Sequence, residues 1–110
     1  MKALSIRQPS AEAIMRGIKT VEFRSRGTKV RGRIYIYAAL GRYHPDDEAD
    51  LLEEFGMDDV DIETLPRGVV VGTVELHDCD GDEWLLRNPE RAEELRRPVN
   101  HPMPVWFTPF

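Results

Sequence analysis

Apolar and polar positions change period several times along the chain, and each change marks an element. Ala3-Leu4-Ser5-Ile6 sets Leu4 and Ile6 on one face of a short extended run, which predicts a first strand. From Pro9 onward the period becomes helical: Ala11, Ile14, Met15 and Ile18 recur at that spacing, Pro9 suits a first turn, and Gly17 suits a C-terminal stop. Val21, Phe23 and Ser25 then alternate with Glu22 and Arg24, as in a strand with one wet face. Residues 26–33 carry Gly27 and Gly32 and read as a basic loop or bulged turn. Ile34 to Ala39 is β-branched and aromatic, a strand with both faces covered.

Pro45 opens a second helix, with Asp46, Asp47 and Glu48 at the positive end of its dipole. Leu51, Leu52 and Phe55 give it an apolar side, and Gly56 ends it. Residues 57–67 form a polar, acidic connection. Val69 to Leu76 alternates most clearly of all and predicts a strand. Trp84 to Arg97 reads as partly helical, with Asn88 capping a short helix from Pro89 to Leu95. Val105-Trp106-Phe107 closes the chain as a strand between prolines. Strands at 21–25 and 33–39 follow too closely for a βαβ crossover. The expected fold is therefore α+β, a small mixed barrel-like sheet with short peripheral helices, in one domain over residues 1–110.

Composition changes this picture in one respect. The 110 residues carry 15 Lys and Arg against 20 Asp and Glu, a net charge of −5. Residues 1–43 hold ten basic and two acidic side chains, hence +8, while residues 44–110 stand at −13. Such asymmetry points to an anionic ligand on one surface. No apolar run approaches the roughly 20 residues of a membrane-spanning helix. No apolar leader precedes Leu4, and the single Cys79 leaves no internal disulfide, so a cytoplasmic protein is expected.

Most catalytic signatures are missing. His44, His77, Cys79 and His101 do not fall into zinc-ligand pairs, and residues 78–82 read as a solvated acidic turn lacking the rest of a calcium loop. There is no nucleophile elbow, phosphate loop or dinucleotide fingerprint, so neither a metal nor a cofactor is expected. The basic half is more informative. On a strand, Glu22 and Arg24 share a face, and with Lys19 they would project beside the Arg7-Gln8 turn. Arginine's planar fork suits phosphates and base edges, and Gln8 could read a base by paired hydrogen bonds. The same residues also fit a solvated face in which Glu22 pairs with Lys19 or Arg24. Tyr43, in a loop beside Gly41 and Arg42, is the candidate for exposed base stacking. At least one of Tyr35 and Tyr37 belongs to the core, and Trp84 and Trp106 read as core or lid.

Three blocks resemble the ASCH domain family: Leu4-Ser5-Ile6-Arg7-Gln8-Pro9, Gly17-Ile18-Lys19-Thr20-Val21-Glu22-Phe23-Arg24-Ser25 and Arg31-Gly32-Arg33-Ile34-Tyr35-Ile36. Gly72 to Cys79 and Pro104 to Phe107 are similar to its later strands. The resemblance implies a PUA-like β-barrel whose cleft binds RNA or another nucleic acid. It carries over to Arg7, Gln8, Pro9, Lys19, Glu22, Arg24 and Ser25, and more loosely to Thr73 and Glu75. Ser10 stands where many members have Trp. Some small relatives deacylate an N4-acylcytidine with Lys, Thr and Glu. Lys19 matches that lysine, but Glu22 stands in the threonine's place, so the triad is not reproduced.

Three readings result. The first is a binding module for RNA, a nucleotide or a modified base, with Arg7, Lys19 and Arg24 on phosphate or base edges and Glu22 orienting the basic pair. The second is a small hydrolase of a modified nucleoside or RNA, with Lys19 and Glu22 as candidate catalytic groups. The third is a protein-interaction domain using the acidic segment 44–63. The acidic residues cluster at 46–63 and 78–94, outside the expected cleft, which favours a short or single-nucleotide ligand over a long duplex. The oligomeric state is not legible from these residues.

Overall fold

A computed structural model describes residues 1–110. The elements are β1 (Ala3–Ile6), α1 (Ser10–Met15), β2 (Val21–Phe23), β3 (Gly32–Ala38), α2 (Pro45–Glu54), a 3-10 turn at Ile62–Thr64, β4 (Val69–Asp80), β5 (Glu83–Arg96) and β6 (Trp106–Phe107). The six strands form one mixed sheet in the order β2-β5-β4-β3-β1-β6. β1 and β3 run parallel, and the long connection between them holds α1 and β2. Such a connection is what a parallel pair requires. β2 precedes β3 in the chain but pairs antiparallel with β5 instead.

The sheet curls into a half-barrel, and side chains bring its two edges together. Trp84 of β5 stacks on Trp106 of β6, with ring centroids 5.5 Å apart and planes 9° from parallel. Just past β2, the Arg24 guanidinium donates to the Ser5 carbonyl of β1 at 3.1 Å. α1 packs against β3, β4 and β5, and all six of its residues are buried. The main core joins Leu4, Ile14, Ile34, Ile36, Val74, Leu76, Trp84 and Leu86. On the other side of the sheet, Ala3, Tyr37, Val70 and Phe107 form a smaller cluster. The mixed, barrel-like α+β architecture expected from the sequence is present.

Close approach of α1 to the sheet depends on Gly72. A Cβ there would collide with the Glu90 carbonyl and lie 2.5 Å from Met15 Sδ. Gly72→Ala is therefore expected to cost about 1–3 kcal/mol, as overpacking of a filled core does. Chemical denaturation measures it, and a change below about 0.5 kcal/mol would show that the helix shifts freely.

The expected helix within 84–97 is absent, because those residues form most of β5. Trp84 and Leu86 alternate inward, and the backbone bonds to β4 outweigh the helix-favouring Glu, Ala, Leu and Arg residues after Pro89. Asn88 is not a helix cap. It adopts φ +54°, and between the pairs Glu75↔Arg87 and Thr73↔Glu90 the strand carries one extra residue. Asn tolerates this left-handed conformation, and Pro89 has no N–H to leave unpaired at the bulge. β4 also runs past Leu76 to Asp80, so Asp78, Cys79 and Asp80 end a strand and only Gly81 and Asp82 turn. β2 stops at Phe23, leaving Ser25 outside it. No helix is long and apolar enough to cross a membrane.

Candidate functional site

Where the curled edges approach each other, they leave an open cleft of about 760 Å³. Its walls come from four places: the end of β1 with Arg7, β2 with Arg24, the loop Ala39 to Tyr43, and the C-terminal segment His101 to Pro104. The register places Glu22 opposite Trp84, the residue that points into the core, so the Glu22 side chain faces the inside of the curl. Two cations converge on its carboxylate: Arg24 Nε donates to Oε2 at 2.8 Å, and Lys19 Nζ lies 3.4 Å from Oε1. Lys19 also donates to the Val21 carbonyl at 2.7 Å, and the Arg24 guanidinium lies 5.7 Å from the Trp84 ring. This small network fixes the wall.

Also lining the cleft, Arg7 sits over Tyr43 with its guanidinium carbon 5.2 Å from the ring centroid. Arg7 forms no ion pair, so its charge is free for a ligand. Gly41 backs onto it: a Cβ would stand 3.4 Å from Arg7 Nε. The cleft also bares apolar surface, with Phe23 62% and Leu40 65% exposed and Met103 beside them. Ser10, buried at the start of α1, lines the cleft with a small side chain.

Two buried carboxylates brace these walls. Glu12 on α1 takes Arg91 through both oxygens, at 3.0 and 2.6 Å, and Arg16 at 2.8 Å. Burial alone would raise its pKa, but the bonds from Arg91 and Arg16 outweigh that and hold it below the usual carboxylate value. Glu48 on α2 binds Arg42 and Arg67, and the Arg42 hydrogen bonds hold its pKa down likewise. Arg42 reaches Glu63 as well, so the residue next to Tyr43 is tied to α2 and the 3-10 turn together. No group of three or more His, Cys, Asp or Glu side chains gathers where a metal could be held.

The ASCH domain family model matches residues 4–100. This chain belongs to the ASCH domain family. It is also 38% identical to human Activating signal cointegrator 1 and 39% identical to the mouse protein, over 80 residues in each case. That stretch covers 69% of this chain but 14% of either relative, so the chain spans only a small part of their length. Within this ASCH domain, β1 from Leu4 on, α1, β2 and the Leu40–Tyr43 loop fall inside the family match, whereas His101 to Pro104 lies beyond it.

The structure brings Lys19, Glu22 and Arg24 together, and Arg7 and Tyr43 together, and of these all but Lys19 line the cleft. Gln8 does not reach the cleft, which corrects its expected role as a base reader. Its side chain is fully buried, donating from Nε2 to the Pro66 carbonyl and accepting from the Glu12 N–H at Oε1, both at 2.9 Å. Pro9 is buried beside it, and Ser25 is exposed away from the cleft lining. Thr73 and Glu75 serve the sheet surface instead, accepting from Arg33 and Arg87 respectively. Sequence reasoning missed Leu40, His101 and Met103, which sit in irregular segments without period. It also set Phe23 on the face opposite Glu22, whereas on a short edge strand both side chains reach the cleft.

Proposed function

We propose that this ASCH domain binds a short single-stranded RNA segment, or a single nucleotide, in the cleft between Arg7 and Glu22. The observation that carries the reading is the unpaired Arg7 guanidinium, stacked on Tyr43 at the mouth of a cleft that also exposes Phe23 and Leu40. A cationic fork beside aromatic and aliphatic surface suits a phosphate and the base attached to it. The cleft volume falls within the range of about 300–1,000 Å³ typical of small-ligand sites. Exposed Asp46, Asp47, Asp50, Glu53 and Glu54 line α2 nearby in sequence, and such charge disfavours a long duplex.

Fluorescence anisotropy with labelled single-stranded and duplex RNA, at about 50 and 200 mM salt, tests this. The single strand is expected to bind more tightly, and Arg7→Ala to weaken it about tenfold and lower the salt slope by about one. Affinity that ignores both salt and Arg7→Ala would overturn the phosphate contact. Lys19, paired with the cleft residue Glu22, supports a second reading, hydrolysis of an acylated nucleoside. Release of cytidine from N4-acetylcytidine, abolished by Lys19→Ala, would favour it over binding alone.

A further inference from the structure

An anionic ligand has no use for a carboxylate in its cleft, yet Glu22 lines this one. The side chain remains 13% exposed, and its partners, Lys19 and Arg24, take one oxygen each. A carboxylate offers about four acceptor positions and no donor, so two remain for something in the cleft. Its orientation is set in advance, because Arg24 is itself held by the Ser5 carbonyl and packed over Trp84. Phosphate belongs at Arg7, the cleft cation that no carboxylate pairs. The base of the same nucleotide then has Glu22, next to the exposed Phe23, as the acceptor lining the same cleft.

We infer that Glu22 reads the base, selecting one whose pairing edge carries an exocyclic amino group over uracil. Cytosine, adenine and guanine each present an exocyclic amino group to an acceptor-only group, whereas uracil offers a single N3–H flanked by two carbonyl oxygens whose charge opposes the carboxylate. Lys19 and Arg24 thus position Glu22, the reverse of the role expected from the sequence. This inference rests on the nucleotide-binding reading above.

The test measures binding of four labelled pentamers, U5 and the same oligomer with cytidine, adenosine or guanosine at its centre. The wild-type chain is expected to prefer the amino-bearing centres about tenfold or more, the discrimination a good base contact supplies. Glu22→Gln presents an amide that can donate as well as accept, so the preference should fall to within about twofold. Its affinity for U5 should rise, because a negative charge has left the cleft. That rise, with a thermal melt, shows that the variant is folded. Equal wild-type binding of all four oligomers, or a preference that survives in Glu22→Gln, overturns the inference while leaving nucleotide binding intact. No binding of any oligomer overturns both.

Discussion

Trp84→Ala is expected to remove about 3–5 kcal/mol of folding stability, the cost of truncating a buried tryptophan. Total stabilities of about 5–15 kcal/mol leave little margin for such a loss. The indole is 2% exposed, stacks on Trp106 across the seam and donates from Nε1 to the Arg26 carbonyl at 3.0 Å. It therefore fills the core, joins the sheet edges and anchors the loop after β2 in a single side chain. Urea unfolding followed by circular dichroism measures the loss, and Trp84→Phe should recover much of it by keeping an aromatic face. A loss below about 1 kcal/mol in Trp84→Ala would mean that the seam does not depend on this stack.

Gln8→Leu is expected to destabilise the fold as well, by about 1–3 kcal/mol or somewhat more, although leucine has a similar volume. It strands the buried Glu12 N–H, whose unmade bond costs about 1–3 kcal/mol, and takes the donor from the part-buried Pro66 carbonyl as well. The same denaturation experiment measures it. Among folded molecules, the preference between RNA bases should not change, because Gln8 lies behind the cleft wall. A variant of normal stability with altered base preference would restore Gln8 as a reader.

What could be read in advance follows from how local each signal is. β1, β3, the first part of β4, α1 and α2 announce themselves by period and by Pro and Gly at their ends, within windows of a few residues. The grouping of Lys19, Glu22 and Arg24 was legible for the same reason, since strand alternation and a short offset suffice. β5 was not. Residues 90–96 carry helix formers, and only pairing with β4, across a bulge at Asn88 of β5, makes them extended. The fate of Gln8 was equally hidden, because one of its partners, Pro66, lies 58 residues away. Likewise no local pattern marks His101 or Met103 as cleft residues, since the Ser5 and β6 contacts that place them come from the opposite end of the chain.

β6 runs antiparallel to β1, with Phe107 opposite Ala3. Partners in such a pair have Cα atoms about 4.5–5.5 Å apart, so the chain enters and leaves the fold at one point. A domain with neighbouring ends can be spliced into a surface loop of a larger protein without stretching its host, and its own ends can be joined by a short linker. New termini would then be best opened at the exposed Gly81-Asp82 turn between β4 and β5. Such a permuted chain would keep β1 and β6 side by side and carry both free ends away from the Phe110 end of the molecule.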